Sequence, residues 1–245
     1  MRFDIITLFP EMFEAVLGVS IIGRARKKGI VELNFHNLRD YSQDKHRRVD
    51  DYPYGGGLGM VMQCQPIFSA VEKISEGLND KPHVILMSPK GQTFTQNKAK
   101  ELLQYNNIII ICGHYEGIDQ RVVDGLVDEE ISIGDYVLTG GEIAAMAVVD
   151  ATARLLPGVL KEEDSYNIET FGNGLLEYPQ YTRPVEFRGM RVPEILLSGH
   201  HENIEKWRKY QSLRETYTKR PDLIKNAVLT KEEEDILSKI IQEEK

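Results

Sequence analysis

Three short segments of this chain combine glycine with polar residues directly after an apolar run, and each could carry chemistry. They are Ser88-Pro-Lys-Gly91, Gly113-His-Tyr-Glu-Gly117 and Ile133-Gly-Asp-Tyr-Val-Leu-Thr-Gly-Gly141. Glycine lets the main chain approach a ligand closely, and exposed amides and carbonyls can then read a purine edge without a charged side chain. A tight turn would use the same residues, yet three such loops at equivalent places favour one shared site. None ends in the Gly-Lys-Ser/Thr of a phosphate loop, and there is no strict GxGxxG turn. The pattern argues against kinases, ATPases and ordinary dinucleotide enzymes, and fits a cofactor with an adenosine but no phosphate.

A fourth cluster, Asp50-Asp-Tyr-Pro-Tyr-Gly-Gly-Gly-Leu-Gly-Met60, follows the basic run Lys45, His46, Arg47 and Arg48. Its functional reading is a mobile cover over a bound substrate, with Arg47 and Arg48 near phosphates and Asp50 accepting hydrogen bonds from a base. A flexible hairpin is the plainer alternative. Asp50 and Gly59 are the substrate-binding candidates of this segment.

The elements that must hold these loops are legible in the hydrophobic pattern. Residues 3–8, 31–35, 84–87, 108–112 and 130–133 read as strands, and residues 11–17, 20–28, 67–74, 99–103 and 142–155 as helices. This alternation predicts an α/β fold, a parallel sheet with helices on both faces. Ligands in such sheets sit at the carboxyl ends of the strands, where the three loops fall. Helix 142–155 is apolar nearly all round and is expected to be buried. Residues 161–175 read as an interdomain linker between a domain at 1–160 and a small α-helical domain at 176–245.

The whole chain has 245 residues, 30 Lys+Arg against 38 Asp+Glu and 41% hydrophobic residues, which supports a packed core and excludes a disordered or fibrous protein. A net charge of -8 argues against indiscriminate coating of nucleic acid. The charge is segregated, however. Residues 24–48 hold eight bases against three acids and residues 206–220 six against one, whereas residues 101–150 hold ten acids against Arg121 alone. Cys64 and Cys112 have neither disulfide nor zinc spacing, which favours a reducing cytoplasm and a core role for both. No metal site is expected from the residues. With no secretion signal and no membrane-spanning run, a cytoplasmic protein without a membrane partner is expected.

Five segments together resemble the bacterial tRNA (guanine-N1)-methyltransferases that act at position 37. They are Thr7-Leu-Phe-Pro-Glu-Met-Phe13, Val49-Asp-Asp-Tyr-Pro-Tyr-Gly-Gly-Gly-Leu-Gly-Met60, Cys112-Gly-His-Tyr-Glu-Gly-Ile-Asp119, Ile131-Ser-Ile-Gly-Asp-Tyr-Val-Leu-Thr-Gly-Gly-Glu142 and Tyr178-Pro-Gln-Tyr-Thr-Arg-Pro184. The resemblance spans nearly the whole chain. It implies a SPOUT-class methyltransferase with a trefoil knot in the C-terminal part of its N-terminal domain, working as a homodimer with the active site at the subunit interface. The implied reaction uses S-adenosylmethionine to methylate N1 of the guanosine 3′ of the anticodon, with the tRNA anticodon stem-loop as partner. The family also suggests a Mg2+ requirement.

By residue, the resemblance implies cofactor binding by Met87, Ser88 and Pro89, by Gly113, Tyr115, Glu116 and Gly117, and by Ser132, Ile133, Gly134, Asp135, Tyr136, Val137, Leu138, Gly140 and Gly141. These fall in the loops already singled out. His114 stands where many members carry arginine. Guanine N1 is a poor nucleophile until its proton leaves, so transfer needs a general base at N1 and a cation or donor near O6. The family's arginine matches Arg154. Its base is an aspartate in an Asp-Ser-Phe motif, whose place is taken by Glu169-Thr-Phe171, 15 positions after Arg154; Glu163-Asp-Ser-Tyr166 lies five residues too early. Glu169 is therefore assigned as base ahead of Asp164. Arg208, Lys209 and Arg214, in the second basic segment, are expected to grip the tRNA through phosphates. The alternatives are a related methyltransferase acting on a ribose or another RNA, and a non-catalytic RNA-binding module.

Overall fold

The computed structural model describes residues 1–161 and 169–244, so Asp164 lies outside the described residues. The chain divides into two compact units, Met1–Lys161 and Glu162–Lys245.

In the first unit, β1 (Arg2–Thr7), β2 (Glu32–Asn37), β5 (His83–Thr93), β6 (Asn107–Cys112) and β7 (Glu129–Ser132) form a five-stranded sheet in the order β2-β1-β6-β5-β7. Every pairing is parallel. Successive residues of a strand point to opposite faces, and the strands divide accordingly. Phe3, Ile5, Ile85, Ile108 and Ile110 pack with α1 (Pro10–Leu17), α2 (Ser20–Lys27), α4 (Gln96–Leu102) and α6 (Glu142–Ala153). Ile6, Val84, Leu86, Ile109 and Ile111 pack with α3 (Cys64–Glu76) and α5 (Gln120–Leu126) on the other face. A sheet covered on both faces has no solvated side, which is why residues 108–112 read as an unbroken apolar run.

Two departures from the periodicity reading have local causes. The strand expected at 84–87 runs on to Thr93, with Met87 and Gln92 both opposite Ile131, so residues 88–91 form an excursion within one strand. A Cβ on Gly91 would collide with the main chain of Glu130, so this close pairing requires glycine. Helix α5 is absent from the reading because it is only seven residues long; the Asp119 carboxylate accepts the Arg121 N–H at its start.

A small hairpin pairs β3 (Asp50–Asp51) with β4 (Val61–Met62) and encloses the glycine-rich segment. In the second unit β8 (Glu186–Phe187) and β9 (Met190–Arg191) form another. Four helices follow: α7 (Glu194–Leu197), α8 (His201–Lys219), α9 (Pro221–Asn226) and α10 (Lys231–Glu243). Residues 221–243 form two helices rather than one, because Thr230 and Glu233 form a reciprocal capping box that starts α10 afresh. Leu175, Leu213 and Ile240 make this unit's core, and the Leu176 N–H donates to Thr216 Oγ1, so the end of the segment read as linker is packed. No helix among the described residues is long and apolar enough to cross a membrane.

Asp4 is fully buried in β1, taking Arg2 Nε at 2.7 Å and His36 Nε2 at 2.8 Å, with the Tyr41 hydroxyl 2.9 Å from His36 Nδ1. Burial alone would raise the Asp4 pKa; the bonds from His36 and Arg2 outweigh it and hold the carboxyl below its ordinary value of 3.8. The stability it contributes is present above that value and is lost as pH falls through the lower folded value. Asp4→Ala should lower the unfolding free energy by about 2 to 3 kcal/mol at neutral pH. In urea melts the gap to the unaltered protein should narrow as pH falls below 3.8.

Candidate active site

Parallel strands present their carboxyl ends on one edge, and a cavity of about 330 Å³ opens where β5, β6 and β7 end. It gathers the three glycine loops. Met87, Ser88 and Pro89 line it from the β5 excursion, and Gly113, His114, Tyr115, Glu116 and Gly117 from the end of β6. From the end of β7 come Ser132, Ile133, Gly134, Tyr136, Val137, Leu138, Gly140 and Gly141. Of the cofactor-binding residues implied by the sequence, Asp135 alone is not among the lining; it sits in a tight turn in which the Tyr136 N–H donates to the Gly134 carbonyl.

The loops are locked together by close backbone approach. Gly141 donates its N–H to the Gly113 carbonyl at 2.9 Å, and His114 bridges to Gly140. A Cβ on Gly140 would fall on the His114 ring and the Glu142 carboxylate, so that position admits only glycine without rearrangement. Glu142, the buried first residue of α6, takes the Thr7 hydroxyl at 2.7 Å and His114 Nε2 at 2.8 Å. Thr7 and Glu142 were not singled out from the sequence. The available signal was an acid opening an otherwise apolar helix, which is buried only where partners satisfy it. Cys112, at the end of β6, is a core residue: burial pushes its thiol well above the ordinary value.

The 50–62 hairpin adjoins this cavity. The Glu116 N–H donates to the Met60 carbonyl at 3.1 Å and the Met62 N–H to the Gly117 carbonyl at 2.9 Å. Gly59, at φ +79, faces the Glu116 side chain, and a Cβ there would lie 2.5 Å from Glu116 Cγ. Asp50 pairs with Met62 across the hairpin. Tyr54 and Leu58 at its tip are almost wholly exposed. Arg47 and Arg48, expected near phosphates, pair with Asp40 and Asp44; the Arg48 guanidinium, with the His46 N–H, holds the Asp44 carboxyl down to about 2.

Arg154 is the C-cap of α6, its N–H bonded to the Asp150 carbonyl. Glu169 belongs to the second unit, where its carbonyl accepts the Gly172 N–H. In that unit Arg208 pairs with Glu205 and lies over the Tyr178 ring, Lys209 pairs with Glu232, and Arg214 with Glu244. Among the described residues no group of three or more His, Cys, Asp or Glu side chains is placed to hold a metal ion.

The family model described as tRNA (Guanine-1)-methyltransferase TrmD matches residues 1–226. A tRNA (guanine-N(1)-)-methyltransferase of Ruminiclostridium cellulolyticum is 61% identical over 223 residues, covering 91% of this chain and 96% of the relative. Those of Halalkalibacterium halodurans and Bacillus cereus are each 55% identical over 240 residues, with 98% of both chains covered. With a full set of strand-end loops gathered on one cavity and identity of this extent, the chain belongs to the tRNA (guanine-N1)-methyltransferase family.

Proposed function

We propose that the protein transfers a methyl group from S-adenosylmethionine to N1 of the guanosine at position 37 of tRNA. The observation that carries this reading is the convergence of three glycine loops on one cavity in a chain of this family. The cavity suits an adenosine-containing, phosphate-free ligand: Gly113, Gly117, Gly134, Gly140 and Gly141 line it without side chains, and apolar Met87, Ile133 and Leu138 flank them. When bound, S-adenosylmethionine supplies an electrophilic methyl carbon whose bonding electron pair stays on sulfur as the methyl leaves. Glu169 would accept the N1 proton of guanine, and Arg154 would stabilise the negative charge that develops toward O6. Asp50 and Gly59 are assigned to the target base, the hairpin serving as its cover. The Mg2+ suggested by the family meets no ligand cluster among the described residues, and no step is routed through it.

The homodimer is part of this reading. Val16, Val19 and Ile143 are 54%, 59% and 54% exposed, and Phe9 and Met12 are exposed at the start of α1, which packs against α6. An apolar face of this kind beside the cavity fits a self-complementary contact with a second copy, with the active site at the subunit interface. Family membership supports the trefoil knot in the C-terminal part of the first unit and a tRNA-gripping role for the helices of the second. A tRNA substrate supports cytoplasmic location.

The reading predicts label from S-adenosylmethionine in a tRNA transcript with guanosine at 36 and 37 and none when position 37 is adenosine. Equal label in both would place the methyl elsewhere; cofactor binding without transfer would favour a binding module.

Glu169→Gln should lower single-turnover rates by roughly 10² to 10⁴ with cofactor affinity nearly kept. A comparable loss confined to Asp164→Asn would move the base to Asp164, and an unchanged rate in Arg154→Ala would remove that arginine from the chemistry.

Because Arg208, Lys209 and Arg214 pair with exposed acids, phosphates can displace those partners at small cost. Replacing Arg208, Lys209 and Arg214 with Gln should weaken tRNA binding and flatten the plot of log affinity against log salt by about 1 per lost phosphate contact. Unchanged filter binding across a salt series would exclude them from the interface.

A further inference from the structure

Glu142 is an acid buried to 2% exposure at the start of an apolar helix, and the proposed chemistry gives it no role. Its bonding partners fix where the protons sit. The Phe9 main-chain N–H can only donate, and it does so to Thr7 Oγ1 at 3.0 Å. The Thr7 hydroxyl therefore accepts there and places its single proton on Glu142 Oε1, at 2.7 Å. A carboxylate only accepts, so the proton in the 2.8 Å bond between Glu142 Oε2 and His114 belongs to Nε2. A neutral imidazole carries one N–H, and with Nε2 protonated Nδ1 keeps its lone pair. The ring that bears this lone pair lines the cavity, steadied by the edge of Phe9 at 5.2 Å between centroids and by the close approach of Gly140.

We propose that Glu142 is a positioning residue that fixes His114 as the Nε2–H tautomer, and that His114 Nδ1 thereby becomes a hydrogen-bond acceptor for an amino group of S-adenosylmethionine. The proposal deepens the assignment of the cavity as the cofactor site and rests on it. Its physical content is a polarity. The adenine and methionyl amino groups of the cofactor donate hydrogen bonds and need acceptors. An imidazole in the other tautomer would present a donor to them instead.

Nitrogen-15 NMR of the full-length protein labelled at histidine reads the tautomer directly. His114 is expected as Nε2–H in the unaltered chain and shifted toward Nδ1–H in Glu142→Gln, because the amide can offer its own N–H to Nε2. The Glu142→Gln variant should raise the KM for S-adenosylmethionine about tenfold and affect kcat less. Asparagine places its carbonyl oxygen near where Nδ1 stands and glutamine reaches toward Nε2, so His114→Asn should bind S-adenosylmethionine several-fold more tightly than His114→Gln in calorimetry. An Nδ1–H tautomer in the unaltered protein overturns the role of Glu142, even if Glu142→Gln fails to fold. Equal affinities of the Asn and Gln variants, or the reverse order, overturn the role of Nδ1. No binding of S-adenosylmethionine by the unaltered protein would instead overturn the cofactor site itself, while the tautomer would still judge the Glu142–His114 half alone.

Discussion

Gly141 donates its N–H to the Gly113 carbonyl, and a Cβ at 141 would lie 2.9 Å from Cys112 Cα and 3.0 Å from the Gly113 nitrogen. This approach joins the chain leaving β7 to the chain leaving β6 with no side chain between them. The consequences run in both directions from the contact. Toward the core, it sets Glu142 at the first position of α6, where Thr7 and His114 satisfy the carboxylate and the positive end of the helix dipole favours it. Toward solvent, it curves residues 133–141 over the strand ends and closes the cavity on one side. A larger residue at Gly141 would open the seam and leave a buried acid short of partners, a costly state in a low-dielectric interior.

The sheet beneath gives the seam its rigidity. Five parallel strands with both faces buried have no polar side to face water, and their polar loops collect at the two edges of the sheet. The amino-terminal side of the sheet carries ion pairs: Asp4 with Arg2 and His36, and Glu129 with His83 and Lys98. The carboxyl edge carries glycine, hydroxyls and the Glu142–His114 pair.

The second unit follows a different logic. Its core is small, its long helix α8 is polar, and Arg208, Lys209 and Arg214 of that helix meet acids at 2.6 to 2.9 Å. Exposed pairs contribute little to stability, so the same bases are available to a phosphate backbone.

By itself the sequence determined the alternation of strands and helices, the three glycine loops and the family. Periodicity and turn chemistry are local properties, and they are written in runs such as residues 108–112 and 133–141. The β5 excursion, helix α5 and the break between α9 and α10 escaped that reading because each depends on a single contact or cap rather than on a repeating pattern. Only the tertiary structure decided that Thr7, His114 and Glu142 meet. They are far apart along the chain, and what selects them is hydrogen-bond satisfaction in a buried space, a property of packed strand ends that no spacing along the sequence encodes. The pairing of Arg208, Lys209 and Arg214 with Glu205, Glu232 and Glu244 was likewise settled by helix packing, because a count of charges fixes a balance but not the partners.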